Sequence, residues 1–270
     1  NGLCWQDLED SVSIHYLPFS RYFMGLLVLL PFLMIKRSIR PDYSFSSQTL
    51  INGSLGLARR LKILHNTHVV ARESNSIFKL LQGLKLKVYH LYYKLGYKGT
   101  SLVICQTDLM KSQLLEALPK MSAQLNVHTI PNPFDLDNVS KGLKDLPDII
   151  KNKKFIVAAG RLAPVKGFDL LIKAFEKIRK VDSDLHLVIL GEGDERKNLE
   201  ELAGKIGLTD YVHLPGYVSN VYPYFHRAHM CVLSSLLEGF PNVLLQMMSQ
   251  NERVVATTSA GDIDTIPGLT

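Results

Sequence analysis

Three side chains able to hold an anionic, hydroxyl-rich ligand stand just past short apolar runs. Arg161 and Lys166 lie in Gly160-Arg161-Leu162-Ala163-Pro164-Val165-Lys166-Gly167, and Glu238 opens Glu238-Gly239-Phe240-Pro241-Asn242-Val243-Leu244-Leu245-Gln246. A guanidinium grips phosphate oxygens with two parallel bonds, and an ammonium adds a point charge. Each charge-assisted bond of this kind contributes about 1.5–3 kcal/mol. Pro241 restricts φ and Gly239 allows close backbone approach. Asn242 reads as a helix N-cap, and the helix start beyond it favours a diphosphate. Glu238 can accept bonds from sugar hydroxyls, and Gln246 can approach the same ligand. Solvation explains one cation alone, and a core helix explains Val243, Leu244 and Leu245. Neither explains two cations between a strand end and a helix start, nor an acid inside an apolar segment.

Other strand ends carry weaker signals. Gly191-Glu192-Gly193-Asp194-Glu195-Arg196 begins like a dinucleotide fingerprint, but Arg196 stands where the third glycine belongs. Its acids would repel a pyrophosphate, so Gly191 and Gly193 read as a tight turn near a nucleotide and NAD is excluded. Pro215-Gly216-Tyr217-Val218 is either a plain turn or a place where backbone at Tyr217 and Val218 meets a base edge. Arg72, Glu73 and Asn75 can line an acceptor pocket, or Ser74 and Asn75 can cap a helix. Gln106-Thr107-Asp108 offers the same two readings. His65 and His68 lack a third ligand nearby, and no metal site is expected. Cys4, Cys105 and Cys231 are dispersed and odd in number, which excludes a disulfide framework and points to a reducing compartment.

The elements that must position these residues alternate in type. Strands are expected at 155–159, 185–190, 211–214, 230–234 and 253–257, with helices at 169–181, 195–206, 221–228 and 242–249 between them. Leu170, Leu171, Ala174, Phe175 and Ile178 recur every three or four residues, one face of a helix. The first half repeats the rhythm, with strands at 12–14, 43–46, 68–71, 102–105 and 127–130 and helices at 20–38, 50–64, 78–95 and 108–118. Such alternation yields α/β architecture: two Rossmann-like domains, each a parallel sheet with helices on both faces. The expected domains are 1–135 and 154–270, joined by a linker over 136–153 that contains the polar stretch following Pro131-Asn132-Pro133. In such sheets ligands bind beyond the carboxyl ends of the strands.

The 270 residues carry a net charge of +6, unevenly spread. Residues 1–135 hold 15 Lys/Arg and 8 Asp/Glu, and residues 136–270 hold 16 and 17. A basic, apolar first half suits an anionic membrane surface or an anionic lipid-linked substrate, or simply a basic domain. Scattered basic residues without a recognition motif argue against nucleic acid. The apolar run Phe23–Ile35 is interrupted by Pro31 and falls short of the roughly 20 residues needed to span a bilayer. It reads as a buried helix ending near the proline, or as a helix lying on a membrane.

Taken together, these residues resemble the retaining glycosyltransferases of family 4, which have the two-domain GT-B fold. The runs that carry the resemblance are Gly160-Arg161-Leu162, Lys166-Gly167-Phe168, Leu190-Gly191-Glu192-Gly193, Leu214-Pro215-Gly216-Tyr217-Val218 and Glu238-Gly239-Phe240-Pro241-Asn242. It implies transfer of a sugar from a nucleoside diphosphate donor, a UDP-sugar favoured, to a hydroxyl of a glycan or lipid-linked glycan, with retained configuration. It casts Arg161 and Lys166 as neutralising the departing diphosphate, and Glu238 as holding donor-sugar hydroxyls. It implies that the backbone through Gly239, Phe240, Pro241 and Asn242, by its N–H groups other than at the proline, helps place sugar and phosphate, with Gly160 close by. No metal or cofactor is implied, and the implied location is the cytoplasm, peripheral at the inner face of the membrane. Two departures stand out. Gln246 occupies a position where the family has a glutamate on the ribose, and the family's segments at both ends are not matched. A non-catalytic protein that binds sugar nucleotides or glycans is the alternative.

Overall fold

A computed structural model describes residues 41–74, 77–133 and 148–258. The strand expected at 12–14, the helix expected at 20–38, Asn75 and most of the 136–153 linker lie outside the described residues. Among the described part of that linker, Asp148–Lys151 forms one helical turn.

The chain forms two sheets. The first has the order β1-β2-β3-β4, from β1 (Tyr43–Ser46), β2 (His68–Arg72), β3 (Leu102–Cys105) and β4 (Val127–Thr129). Its first two strands run parallel, Tyr43 opposite His68. The helix Thr49–Arg60 packs beside β2 through Leu55 and Ala58, which join Leu64 and Val69 in a buried cluster. The helix expected over 78–95 is two pieces, Ile77–Leu80 and Gly83–Gly96, separated where Gly83 takes φ 61°.

The second sheet has β5 (Lys154–Ala159), β6 (Leu185–Leu190), β7 (Val212–Gly216), β8 (Met230–Leu233) and β9 (Val254–Ala256) in the order β7-β6-β5-β8-β9. The strand pairs β5–β6, β6–β7, β5–β8 and β8–β9 are all parallel. Alternation along the strands feeds two cores. Ile156, Ala158, Leu185, Leu187 and Ile189 pack with Phe168, Leu171, Ile172 and Phe175 of the helix Phe168–Arg179. Phe155, Val157, Ala159, Val188 and Leu190 face the other way, onto Tyr224, Phe225 and Met247. Both faces are therefore covered, which is why these strands read as continuous apolar runs. The strand order reverses at β5, with β6 on one side and β8 on the other. That switch point opens a crevice at the carboxyl ends of β5 and β8.

Packing divides the chain into two compact units. One ends at Arg72 and resumes over Lys87–Val103 and Gln124–Asn126; the other contains the whole five-stranded sheet.

Candidate functional site

The crevice holds a cavity of about 590 Å³, within the usual range for a small-molecule site. Arg161 and Lys166 enter it from the loop after β5, and Glu238, Phe240, Pro241, Asn242 and Gln246 from the segment after β8. Gly160, Gly191, Tyr217 and Val218 complete its polar and backbone lining. Gly193 and Gly239 are not in the lining. Residues Ala159, Leu190, Val221 and Val243 are, although the sequence marked them only as strand ends and helix starts. Their signal was position: Ala159 and Leu190 end β5 and β6, and Val221 and Val243 stand at helix starts.

Close packing at the loops sets this geometry. The helix Phe168–Arg179 starts from Gly167 at φ 61°, and a Cβ there would lie 2.3 Å from the Ser234 carbonyl. The loop after β5 is thus pressed onto the end of β8, where the Ser234 hydroxyl donates to the Lys166 carbonyl at 2.9 Å. A Cβ on Gly191 would sit 1.9 Å from the Gly160 carbonyl oxygen, so the loops after β5 and β6 also run in contact. The Leu162 amide donates to the Glu192 carbonyl at 2.8 Å and ties them further.

Lys166 Nζ donates to Glu238 Oε1 at 2.5 Å, across 72 positions of sequence. The Ser235 hydroxyl donates to the same oxygen at 2.5 Å. Both charged side chains are largely covered, at 19 % and 11 % exposed. Ser235 itself is buried and was not singled out from sequence; nothing in its local pattern distinguishes it from Ser234. Arg161 is exposed, and no acid among the described residues pairs with it. Tyr217 lies at the rim with its ring exposed.

Two sequence expectations need correction. Asn242 is not the N-cap of the helix Asn242–Met248: Pro241 occupies that place and no side chain caps it. Proline restricts the backbone there, so the asparagine falls one residue inside. Glu192 does line the cavity, yet its charge is not left to repel a phosphate. Arg196 grips it with two bonds, of 2.7 and 2.9 Å, and holds its carboxyl below the usual carboxylate range. Of the two readings of Gln106-Thr107-Asp108, the structure shows the cap: the Thr107 hydroxyl accepts from the Met110 amide at 3.1 Å.

Arg72 ends β2, and Glu73 is buried beside it, its amide bonded to the Ile104 carbonyl at 2.8 Å. Among the described residues, no group of three His, Cys, Asp or Glu could hold a metal ion. Cys105 and Cys231 are free and buried, and burial pushes both thiols up to about 12, with the Glu73 charge adding to the shift at Cys105. Neither is a thiolate nucleophile at neutral pH.

Residues 144–266, which include β5 to β9 and every cavity residue, match the glycosyl transferases group 1 family. These residues belong to that family. An uncharacterized glycosyltransferase of Methanocaldococcus jannaschii is 30 % identical over 236 residues, 83 % of this chain and 57 % of that protein. The N-acetylgalactosamine-N,N'-diacetylbacillosaminyl-diphospho-undecaprenol 4-alpha-N-acetylgalactosaminyltransferase of Campylobacter jejuni is 38 % identical over 126 residues, 47 % of this chain and 33 % of that protein. The chain therefore spans about a third to somewhat over half of these relatives. Among solved structures, Anabaena Alr3699/HepE in complex with UDP and glucose aligns with a TM-score of 0.71 at 18 % identity, covering 90 % of this chain and 66 % of that one. The fold of this chain is of the GT-B type, with two parallel sheets flanked by helices.

Proposed function

We propose that the protein transfers a sugar from a nucleoside diphosphate sugar, a UDP-sugar favoured, to a hydroxyl of a glycan or lipid-linked glycan, with retained configuration. The observation that carries this reading is the Lys166–Glu238 pair beside an exposed Arg161 in one cavity at the switch point. A diphosphate entering the cavity would compete with Glu238 for Lys166 and bring Arg161 a partner. Glu238, still held by Ser235, would then accept bonds from donor-sugar hydroxyls. In the transfer, the bond from the sugar's anomeric carbon to the diphosphate breaks and a bond to the acceptor oxygen forms. The acceptor proton offsets part of the charge on the departing diphosphate. The two cations stabilise that charge as it develops, the dominant kind of contribution in such sites. In this reading they do so without a metal or cofactor.

Similarity supports the donor and acceptor classes. The Anabaena neighbour was solved with UDP and glucose, and the Campylobacter relative is named for an acceptor on diphospho-undecaprenol. The exposed Tyr217 ring offers a surface for a base, and Gln246 lines the same cavity, within which a ribose would sit. A lipid-linked acceptor also agrees with a cytoplasmic protein acting at the inner face of the membrane.

Calorimetric titration with UDP and UDP-sugars tests the donor site. Arg161→Ala and Lys166→Ala should each weaken binding by about tenfold or more, the size of a lost charge-assisted bond. Binding of no nucleoside diphosphate or sugar conjugate to the wild type would overturn the proposal. Gln246 favours a second reading, a sugar-nucleotide-binding protein without turnover, because a glutamine accepts fewer ribose bonds than a carboxylate. Transfer of labelled sugar to a lipid extract would eliminate it.

A further inference from the structure

The helix Gly83–Gly96 is apolar on two opposite faces, and only one is needed for packing. Its inner face is docked with backbone-level closeness. A Cβ on Gly96 would lie 2.0 Å from the Gly53 carbonyl oxygen, and Tyr93 is buried on the same side. The Arg60 guanidinium also bonds the Leu95 carbonyl. Rotation to hide the other face is therefore blocked. On that outer face Leu84, Val88, Leu91 and Leu95 are 78 %, 44 %, 53 % and 45 % exposed. At about 100° per residue these four fall within a stripe some 60° wide, and the stripe runs for about 17 Å. Lys87 and Lys94 lie along one edge of it and Lys85 beyond the other, all exposed.

The charge around the stripe identifies its occupant. Between Glu73 and Asp108 the sequence contains five lysines and no acid. A two-fold contact with a second copy would set these lysines against each other. An anionic lipid surface supplies both halves of what the face lacks: acyl chains for the leucines and headgroup charges for the lysines. No helix among the described residues is long and apolar enough to cross a membrane, so the helix would lie in the interface plane.

We infer that the outer face of the helix Gly83–Gly96 seats the protein on an anionic membrane. The inference deepens the lipid-linked acceptor reading, but its test needs no donor. Sedimentation with phosphatidylcholine vesicles, with and without about 30 mol % phosphatidylglycerol, reads the partition directly. The wild type should bind the anionic vesicles and ignore the neutral ones, and about 0.5 M salt should release it. Leu84→Ser with Leu91→Ser should lower partition about tenfold or more while Tm falls by no more than about a few degrees, because Leu84 is largely and Leu91 about half in water already. Lys85→Gln with Lys87→Gln and Lys94→Gln should remove most of the salt sensitivity. Arg161→Ala should bind vesicles like the wild type even if it binds no nucleotide, which separates the two proposals. Equal partition of the wild type and the leucine variant would overturn the inference. So would failure of the wild type to bind, or a dimer that the leucine variant splits while vesicles are ignored.

Discussion

The loop 160–167 after β5 and the loop 191–196 after β6 share a plan. Each leaves a parallel strand through a glycine, ends near a cation and opens a helix. Their cations differ in what holds them. Arg196 is bound by Glu192 four residues back, by Glu200 at 2.9 Å one turn on, and it donates to the Leu214 carbonyl at 3.1 Å. Lys166 is bound by Glu238, brought from the far side of the switch point. A cation saturated by its own helix is structural, since neighbours at i±4 remain with it whatever binds. A cation held by one distant carboxylate inside a cavity can exchange that partner for a ligand. Two loops of similar composition thus take different roles through the sequence distance of the partner.

The strongest challenge to this contrast is Lys166→Ala. It should lower kcat/KM by about 10²–10³, as expected for a lost stabiliser of developing charge. Steady-state kinetics of Arg196→Ala should show a smaller loss, about three- to tenfold, because the pair itself is near the surface but the freed Glu192 carboxylate then repels a diphosphate from the cavity wall. Comparable losses in the two variants would break the comparison. Glu238→Gln sharpens it: transfer should fall by about 10–100-fold, the worth of charged hydrogen bonds to sugar hydroxyls. Affinity for UDP alone should hold or rise in the same variant, because Lys166 is released; a parallel loss of UDP binding would mean that Glu238 only supports the loop. Gln246→Glu should tighten uridine nucleotides by about three- to tenfold by adding a ribose acceptor. Unchanged affinity by calorimetry would place the ribose elsewhere.

The smallest effect tests whether acid sensitivity belongs to the loops at all. His186 Nδ1 lies 3.0 Å from His213 Nε2 on β6 and β7, outside the cavity lining. Burial, then the Lys153 charge, pulls His213 down to about 4. Between that value and about 6.5 the unfolded chain binds a proton that the folded chain refuses. Stability is therefore complete above this window and declines as pH falls through it. His213→Gln should flatten the fall of Tm in this window while leaving transfer at neutral pH unchanged. An unaltered slope would assign the acid sensitivity to another group.

Most of the second sheet was legible in the chain. Leu185–Leu190 is a strand with the expected bounds, and the helix expected at 169–181 forms at Phe168–Arg179. Buried parallel strands and amphipathic helices write their periods directly into sequence. Helix starts were less legible. Pro241 displaced Asn242 from the cap, because cap preference ranks side chains while backbone restriction at the preceding residue decides the register. The break before Gly83 was missed because the apolar period continues through it.

Local patterns alone determined which residues stand at strand ends: Arg161 and Lys166 after one strand, Glu238 after another. Periodicity and turn chemistry act over a few residues, so one chain suffices to read them. The tertiary structure decided the pairings. It set Glu238 against Lys166 and placed the buried Ser235 hydroxyl on the same carboxylate oxygen. It also left one leucine face of the helix Gly83–Gly96 without a core to enter. Partner choice and burial depend on which strands become neighbours, and that follows from packing the whole sheet rather than from any segment of the sequence.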